Sequence, residues 1–132
     1  MTQVVLILLL VFGGALSSRP LTNTPRRVMA VTIDDLPYVN PAQLPYLPNA
    51  RRATDDILRA LKSHRAAAVG FVNEGKLQGL GEVEDRTGLL KQWVDAGMTL
   101  GNHTYSHADF NALTVEQFQE EIIKGEVVTR KL

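Results

Sequence analysis

Residues Met98 to His107 read MTLGNHTYSH, a short stretch that joins an apolar run to a pair of histidines. The apolar run, Met98 to Gly101, predicts a buried strand. His103 and His107 are four residues apart, and on a helical turn that spacing places two side chains on one face. Two imidazoles held in this way can bind one metal ion, with ring nitrogens about 2.0–2.1 Å from it. The stretch therefore predicts part of a metal site at the end of a strand.

A candidate third ligand lies far upstream, at the end of another predicted strand. Val28 to Ile33 reads VMAVTI and lacks alternation, as expected for a strand that is covered on both faces in a parallel sheet. It leads directly into Asp34 and Asp35. Alone, such an acidic pair is usually a helix cap or a turn, and a histidine pair often arises by chance. Together, one carboxylate and two imidazoles leave coordination positions open for water and substrate, which is typical of a catalytic metal site.

The remaining residues predict three helices and one further strand. Thr114 and Gln117 form a capping box at the start of the last helix, which runs to about Lys124. The periodicity predicts that this helix buries three apolar side chains. Those side chains are Val115, Phe118 and Ile122. The other predicted elements are a proline-rich loop over 36–48, a helix over 50–64 capped by Asn49, a strand over 66–72, and a helix over 83–96 with Leu89, Leu90, Trp93 and Val94 facing inward.

The order of these elements is strand, helix, strand, helix, strand, helix. Such alternation indicates right-handed βαβ units on a parallel sheet. In parallel α/β folds, functional residues gather beyond the carboxyl ends of the strands. We therefore expect the acids Asp34 and Asp35 to lie on the same rim of the sheet as His103 and His107.

Composition and the N-terminal sequence restrict the class of protein. The chain has 132 residues, the size of one small domain, and a formal net charge of zero, which argues against nucleic-acid binding. It has no cysteine, so disulfides are excluded.

Residues 1–18 carry an apolar run that is too short for a membrane span and is followed by small residues. This pattern predicts a signal peptide, with a linker over 19–27. The protein is then expected in the periplasm, cell envelope or medium, without a stable membrane span. An uncleaved anchor or a buried first strand are the alternatives.

Two motifs and the strand between them are similar to one known family. Thr32 to Pro37 reads TIDDLP, and His103 to His107 reads HTYSH. They resemble the Thr-Phe-Asp-Asp-Gly-Pro and His-Ser/Thr-x-x-His motifs of polysaccharide deacetylases, the NodB-homology family (carbohydrate esterase family 4). Gly70 to Asn73, GFVN, resembles the second strand of that family. The resemblance extends from about Val28 to about Gly125, and the two motifs are specific only in combination.

The resemblance implies a role for each matching residue. Asp34 matches the catalytic base, and Asp35, His103 and His107 match the ligands of a divalent metal, usually zinc and sometimes cobalt. Thr104 matches a hydroxyl that braces the loop. The implied substrate is an acetylated glycan, from which acetyl groups on nitrogen or oxygen are hydrolysed, with the amide favoured. The implied fold is a distorted (β/α) barrel of about seven strands, of which residues 28–132 supply about three βα units as the N-terminal part of the catalytic domain.

Some positions depart from the pattern of the family. Ile33 replaces its phenylalanine and Leu36 its glycine, and no arginine-proline, aspartate-tryptophan or leucine-x-histidine motif follows Gly125. The missing motifs, with only three of about seven βα units, predict a fragment or a truncated product. They also leave open a catalytically incomplete homologue that binds metal or carbohydrate without turnover. A phospho-receiver-like domain is a weaker alternative, because it would need an aspartate where His103 stands.

Overall fold

The computed structural model describes residues 27–40, 46–79 and 81–132. Residues 1–18, predicted as a signal peptide, lie outside the described residues, as does nearly all of the predicted linker. Three parallel strands form one sheet in the order β1 (Val31–Leu36), β2 (Ala68–Val72) and β3 (Thr99–Asn102). Because neighbouring strands are parallel, their carboxyl ends meet at one edge of the sheet. The α/β architecture, a partial (β/α) barrel, is confirmed.

The first strand differs from the prediction in two respects. It begins at Val31, which pairs with Ala68, so the preceding Val28 and Met29 have no strand partner among the described residues and are exposed. Burial also alternates along β1, with Asp34 on the exposed face and Asp35 half-buried. The prediction of a strand covered on both faces is therefore wrong for this sheet.

The helices are α1 (Tyr46–Ser63), α2 (Val83–Asp95) and α3 (Val115–Lys124). The prediction for α2 is confirmed within one residue, and Gly97 follows it with a φ of 80°. Helix α1 begins four residues before the predicted start and includes Pro48, so the loop and the Asn49 cap were wrong there. Proline fits this position because the first turn of a helix has backbone N–H groups without intrahelical partners.

The core lies between the sheet and the first two helices. Leu58 and Leu61 from α1 pack with Leu90 and Trp93 from α2 and with Val72 from the sheet. None of the helices in the described ranges combines the length and apolar content that a membrane crossing requires.

Helix α3 does not behave as the periodicity predicts. Its capping box between Thr114 and Gln117 is confirmed, but none of its side chains is buried. Val115 is 61% exposed and Ile122 is 41% exposed, so the predicted apolar burial is wrong. Phe118 packs edge-to-face against Phe110, and the other contacts of α3 described below are polar.

Candidate metal centre

The acidic half of the site lies where β1 loses its regular pairing. The register between β1 and β2 slips between Ile33 and Leu36, and Asp35 has a φ of 69°. Positive φ is uncommon for residues other than glycine and is accepted most readily by aspartate and asparagine. The backbone therefore turns at Asp35 instead of continuing as a regular strand.

The structure brings three of the predicted site residues together. Ligand atoms of Asp35, His103 and His107 all lie within 4.8 Å of one another. In a tetrahedral zinc site, metal–ligand distances of about 2.0–2.2 Å put the ligand atoms roughly 3.4 Å apart, so small side-chain rotations suffice to close the site. One carboxylate and two imidazoles are donors that suit zinc. Asp34 is not part of this group and lies exposed beside it on β1.

The two histidines approach each other through a loop and not through a helix. No helix is assigned over 103–109, which corrects the helical-turn argument made from the spacing. Thr104 and His107 have φ values of 65° and 59°, and these two left-handed residues fold the loop back on itself. The ring centroids of His103 and His107 are 4.9 Å apart, with an angle of 69° between the ring planes.

The histidine loop, defined here as His103 to His107, is held by β2 and the residue after it. His103 N donates to Val72 O at 2.9 Å, which extends the sheet pairing into the loop. The buried amide of Asn73 donates through Nδ2 to the carbonyl of His103. Within the loop, His107 N donates to Thr104 Oγ1 at 3.2 Å. The positions of both imidazoles thus follow from hydrogen bonds to backbone groups of the two histidines.

The carboxyl-terminal half of α3 holds the other side of the loop. The carboxylate of Glu121 accepts from both N and Oγ of Ser106, at 2.7 and 2.9 Å, and its carbonyl accepts from Tyr105 N. Asn102 Nδ2 donates to Ile122 O at 2.7 Å. These contacts explain the position of a helix that adds no side chain to the core.

A single lysine holds the acidic half. Lys76 Nζ donates to Asp35 Oδ1 at 2.7 Å and lies 3.4 Å from the backbone oxygen of the same residue. Partial burial raises the pKa of Asp35, but the hydrogen bond and charge of Lys76, with the charges of His107 and His103, outweigh it. The pKa of Asp35 is therefore lowered from its ordinary value of 3.8, and the carboxylate is ionised at neutral pH.

Sequence reasoning missed the β2 rim segment, which we define as Asn73 to Lys76. Gly75 N donates to Tyr105 O at 2.8 Å, and Asn73 and Lys76 make the contacts described above. The buried carboxylate of Glu74 accepts from the backbone N–H groups of residues 128 and 129. The rule that functional residues gather at strand carboxyl ends would have found this segment, had it been applied to β2 as well.

Two hollows border the site. A cavity of about 200 Å³ lies beside Asp34 and Asp35, and its apolar wall includes Tyr38, Ile57 and Trp93. A cavity of about 120 Å³ is lined by four residues of the other half: His103, Thr104, His107 and Ala108. Both acids and both imidazoles are therefore accessible to a small molecule.

Comparison with known proteins identifies the family. The sequence profile of polysaccharide deacetylases matches residues 22–131, nearly the whole chain. The chain belongs to the polysaccharide deacetylase family, as the two motifs predicted.

Two bacterial relatives match part of the chain. Peptidoglycan-N-acetylmuramic acid deacetylase PdaA of Bacillus subtilis (strain 168) is 35% identical over 69 residues, which are 52% of this chain and 24% of the relative. A peptidoglycan-N-acetylglucosamine deacetylase of Bacillus cereus is 32% identical over 80 residues, 60% of this chain and 26% of the relative. The matched segments thus span about a quarter of the length of these curated relatives.

Solved structures share the fold. Peptidoglycan deacetylase PdaC from Bacillus subtilis is 26% identical with a TM-score of 0.57, and the match covers 81% of this chain and 44% of that one. A mutant of BA3943, a CE4 family pseudoenzyme with restored enzymatic activity, is 25% identical with a TM-score of 0.55, covering 77% and 31%. The wild-type pseudoenzyme comes from Bacillus anthracis. The fold therefore occurs in deacetylases and in a protein described as a pseudoenzyme.

Proposed function

We propose that this chain carries the metal centre and the catalytic base of a metal-dependent deacetylase that removes acetyl groups from an N-acetylated polysaccharide. The observation that carries the proposal is the convergence of Asp35, His103 and His107, whose ligand atoms lie within 4.8 Å of one another. These residues are far apart in sequence and come from two different strand ends. Their donor types suit a divalent cation, which supports zinc as the resident ion, with cobalt as an alternative.

Each site residue has a distinct role in this proposal. Asp35, His103 and His107 would hold the ion, and Thr104 holds the loop in its folded-back form through its bond with His107 N. When bound, zinc in such a site polarises a carbonyl and lowers the pKa of a bound water. Asp34 is exposed beside the ligands and free to accept a proton.

The reaction assigned to Asp34 is general-base catalysis of amide hydrolysis. Its carboxylate takes a proton from the attacking water, whose oxygen forms a bond to the acetyl carbon. The carbon–nitrogen bond then breaks, the nitrogen takes the proton held by Asp34, and acetate and a free amino sugar are released.

Peptidoglycan is the acetylated glycan that we propose as substrate. The support is that two relatives above 30% identity carry peptidoglycan deacetylase names. Action on that polymer fits a periplasmic, envelope or secreted location and the signal peptide proposed for residues 1–18. The catalytic domain is proposed to begin at about residue 28.

A second candidate is a homologue that binds the metal or the glycan without turnover. The replacement of the family's glycine by Leu36 in the first motif favours it. Acetate release separates the two candidates, because only the deacetylase consumes the acetyl group.

The test combines metal content with acetate release. Asp35→Ala should reduce the zinc retained after dialysis from about one ion per chain to near zero, because an open two-histidine site lacks a charged ligand. Asp34→Asn should keep its zinc but lose acetate release from N-acetylated peptidoglycan fragments. Asp55→Ala is the matched control, since Asp55 lies exposed on α1. Equal zinc in the wild type and Asp35→Ala would contradict the ligand assignment, and zinc without acetate release would favour the binding homologue.

A further inference from the structure

Lys76 is a cation that contacts Asp35, one ligand of the proposed metal site. Its side chain is 15% exposed, and its ammonium contacts both the carboxylate and the backbone oxygen of Asp35. We propose that Lys76 is a positioning residue, which fixes the Asp35 carboxylate for metal binding and thereby strengthens the affinity for the ion. The inference rests on the proposed metal centre and adds a residue that neither motif contains.

The Asp35 side chain needs a contact from another residue to hold it in place, because its own backbone does little to restrict its rotation. Asp35 lies within the slip in strand register, has a φ of 69°, and its side chain is 27% exposed. A half-exposed carboxylate on such a turn can rotate toward solvent. Two contacts from one ammonium to the same residue restrict that rotation. A carboxylate has two oxygens, so it can accept from Lys76 through one and offer the other to an ion.

The backbone of Lys76 is itself held by hydrogen bonds, so its ammonium group extends from a fixed position. Lys76 belongs to a short 3₁₀-helix, Glu74–Leu77, and its N–H donates to Asn73 O at 3.0 Å. Its carbonyl accepts from the buried Arg86 through Nη1 at 2.7 Å. The neighbouring Gly75 is bonded to Tyr105 of the histidine loop. Lys76 therefore links the two halves of the site.

The positive charge of Lys76 also repels a metal ion, and two facts limit this effect. The acids Asp34 and Asp35 outnumber Lys76 on this rim, so a cation still meets more negative than positive charge. Hydrogen bonds to the ligands of a metal are known to support binding, and their removal typically lowers metal affinity about 10- to 100-fold. Positioning therefore outweighs repulsion in this proposal.

The test measures zinc affinity in Lys76→Met, which keeps the length of the side chain and removes its donor and charge. Competition with a chromophoric chelator at constant pH should show about 10-fold weaker zinc binding than in the wild type. Lys91→Met is the matched control, because Lys91 forms an exposed ion pair with Asp95 and should leave the affinity unchanged. Lys76→Gln, which retains a donor, should fall between the wild type and Lys76→Met.

Two further readouts separate positioning from a general loss of structure. The visible absorption of the Co²⁺-loaded protein should change in Lys76→Met at full loading, because the Asp35 ligand binds differently. In an Asp35→Ala background, Lys76→Met should no longer weaken zinc binding, because the carboxylate that Lys76 positions is absent. Zinc binding in Lys76→Met as tight as in the wild type, or tighter, overturns the inference and leaves the metal centre standing. A wild type that binds no zinc overturns both.

Discussion

The two halves of the site are held in contrasting ways. The histidine loop is fixed by several backbone–backbone hydrogen bonds to β2, to the β2 rim segment and to α3, together with contacts from three side chains. Those side chains belong to Asn73, Thr104 and Glu121. The Asp35 carboxylate is held by one lysine side chain. Hydrogen bonds between backbone groups remain when most side chains are replaced. The ion pair, in contrast, is lost when either of its two side chains is replaced. We therefore expect the acidic half to be sensitive to a single charge change and the imidazole half to be sensitive to changes in backbone packing.

Gly75→Ala would break the imidazole half and is expected to have the largest effect on stability. An added Cβ would lie 2.6 Å from Tyr105 O, a backbone atom of the loop that cannot rotate away. We expect a loss of about 1–3 kcal/mol in the free energy of unfolding, measured in urea, together with weaker zinc binding. Gly88→Ala is the control, since a Cβ there meets no atom within 4 Å and alanine favours a helix by about 1 kcal/mol. Equal stability of the two variants would refute the close approach.

Lowering the pH should weaken the ion pair between Asp35 and Lys76, and we expect an effect on stability between those of the other two changes. The folded protein lowers the pKa of Asp35 below its ordinary value of 3.8, so the ion pair with Lys76 adds stability above that value. The added stability disappears as the pH falls through the folded pKa. The stability difference between the wild type and Lys76→Met, measured in zinc-free buffer, should therefore be largest near pH 6 and shrink below pH about 4. A difference independent of pH would mean that Lys76 acts through packing alone.

Ser106→Ala tests whether the histidine loop depends on a single side chain, and we expect it to have the smallest effect on stability. It removes one exposed hydroxyl donor to Glu121, while the N–H of Ser106 keeps its bond to the same carboxylate. We expect a change within about 0.5 kcal/mol in stability and less than about twofold in zinc affinity. A loss as large as that of Lys76→Met would show that the loop depends on individual side chains, against the contrast drawn above.

The sequence predicted the parts of the molecule that depend on periodicity and strand order. Helix α2 was predicted because Leu89, Leu90 and Trp93 recur at helical spacing and Gly97 ends the pattern. The convergence on one rim was predicted because parallel strands end at one edge. The approach of Lys76 to Asp35 joins residues 41 positions apart in different units, and no local pattern encodes such a contact.

Other features of the site escape prediction for a related reason. Thr104 and His107 adopt left-handed conformations in a loop held by β2, α3 and the Thr104 hydroxyl, and the spacing of the histidines alone does not encode these contacts. The exposed apolar face of α3 was mispredicted because periodicity identifies a face that can be buried, without identifying what covers it.

Among the described residues, Asp35, Thr104 and His107 are three of the four non-glycine residues with positive φ. For most side chains this backbone region costs roughly 1–2 kcal/mol per residue, and glycine avoids the penalty. At the exposed His107, glycine would therefore relax the chain while removing an imidazole. A laboratory selection for heat tolerance in zinc-free medium would then favour variants that lose the proposed metal centre, so screens for a more stable form of this protein should measure ion retention alongside melting temperature.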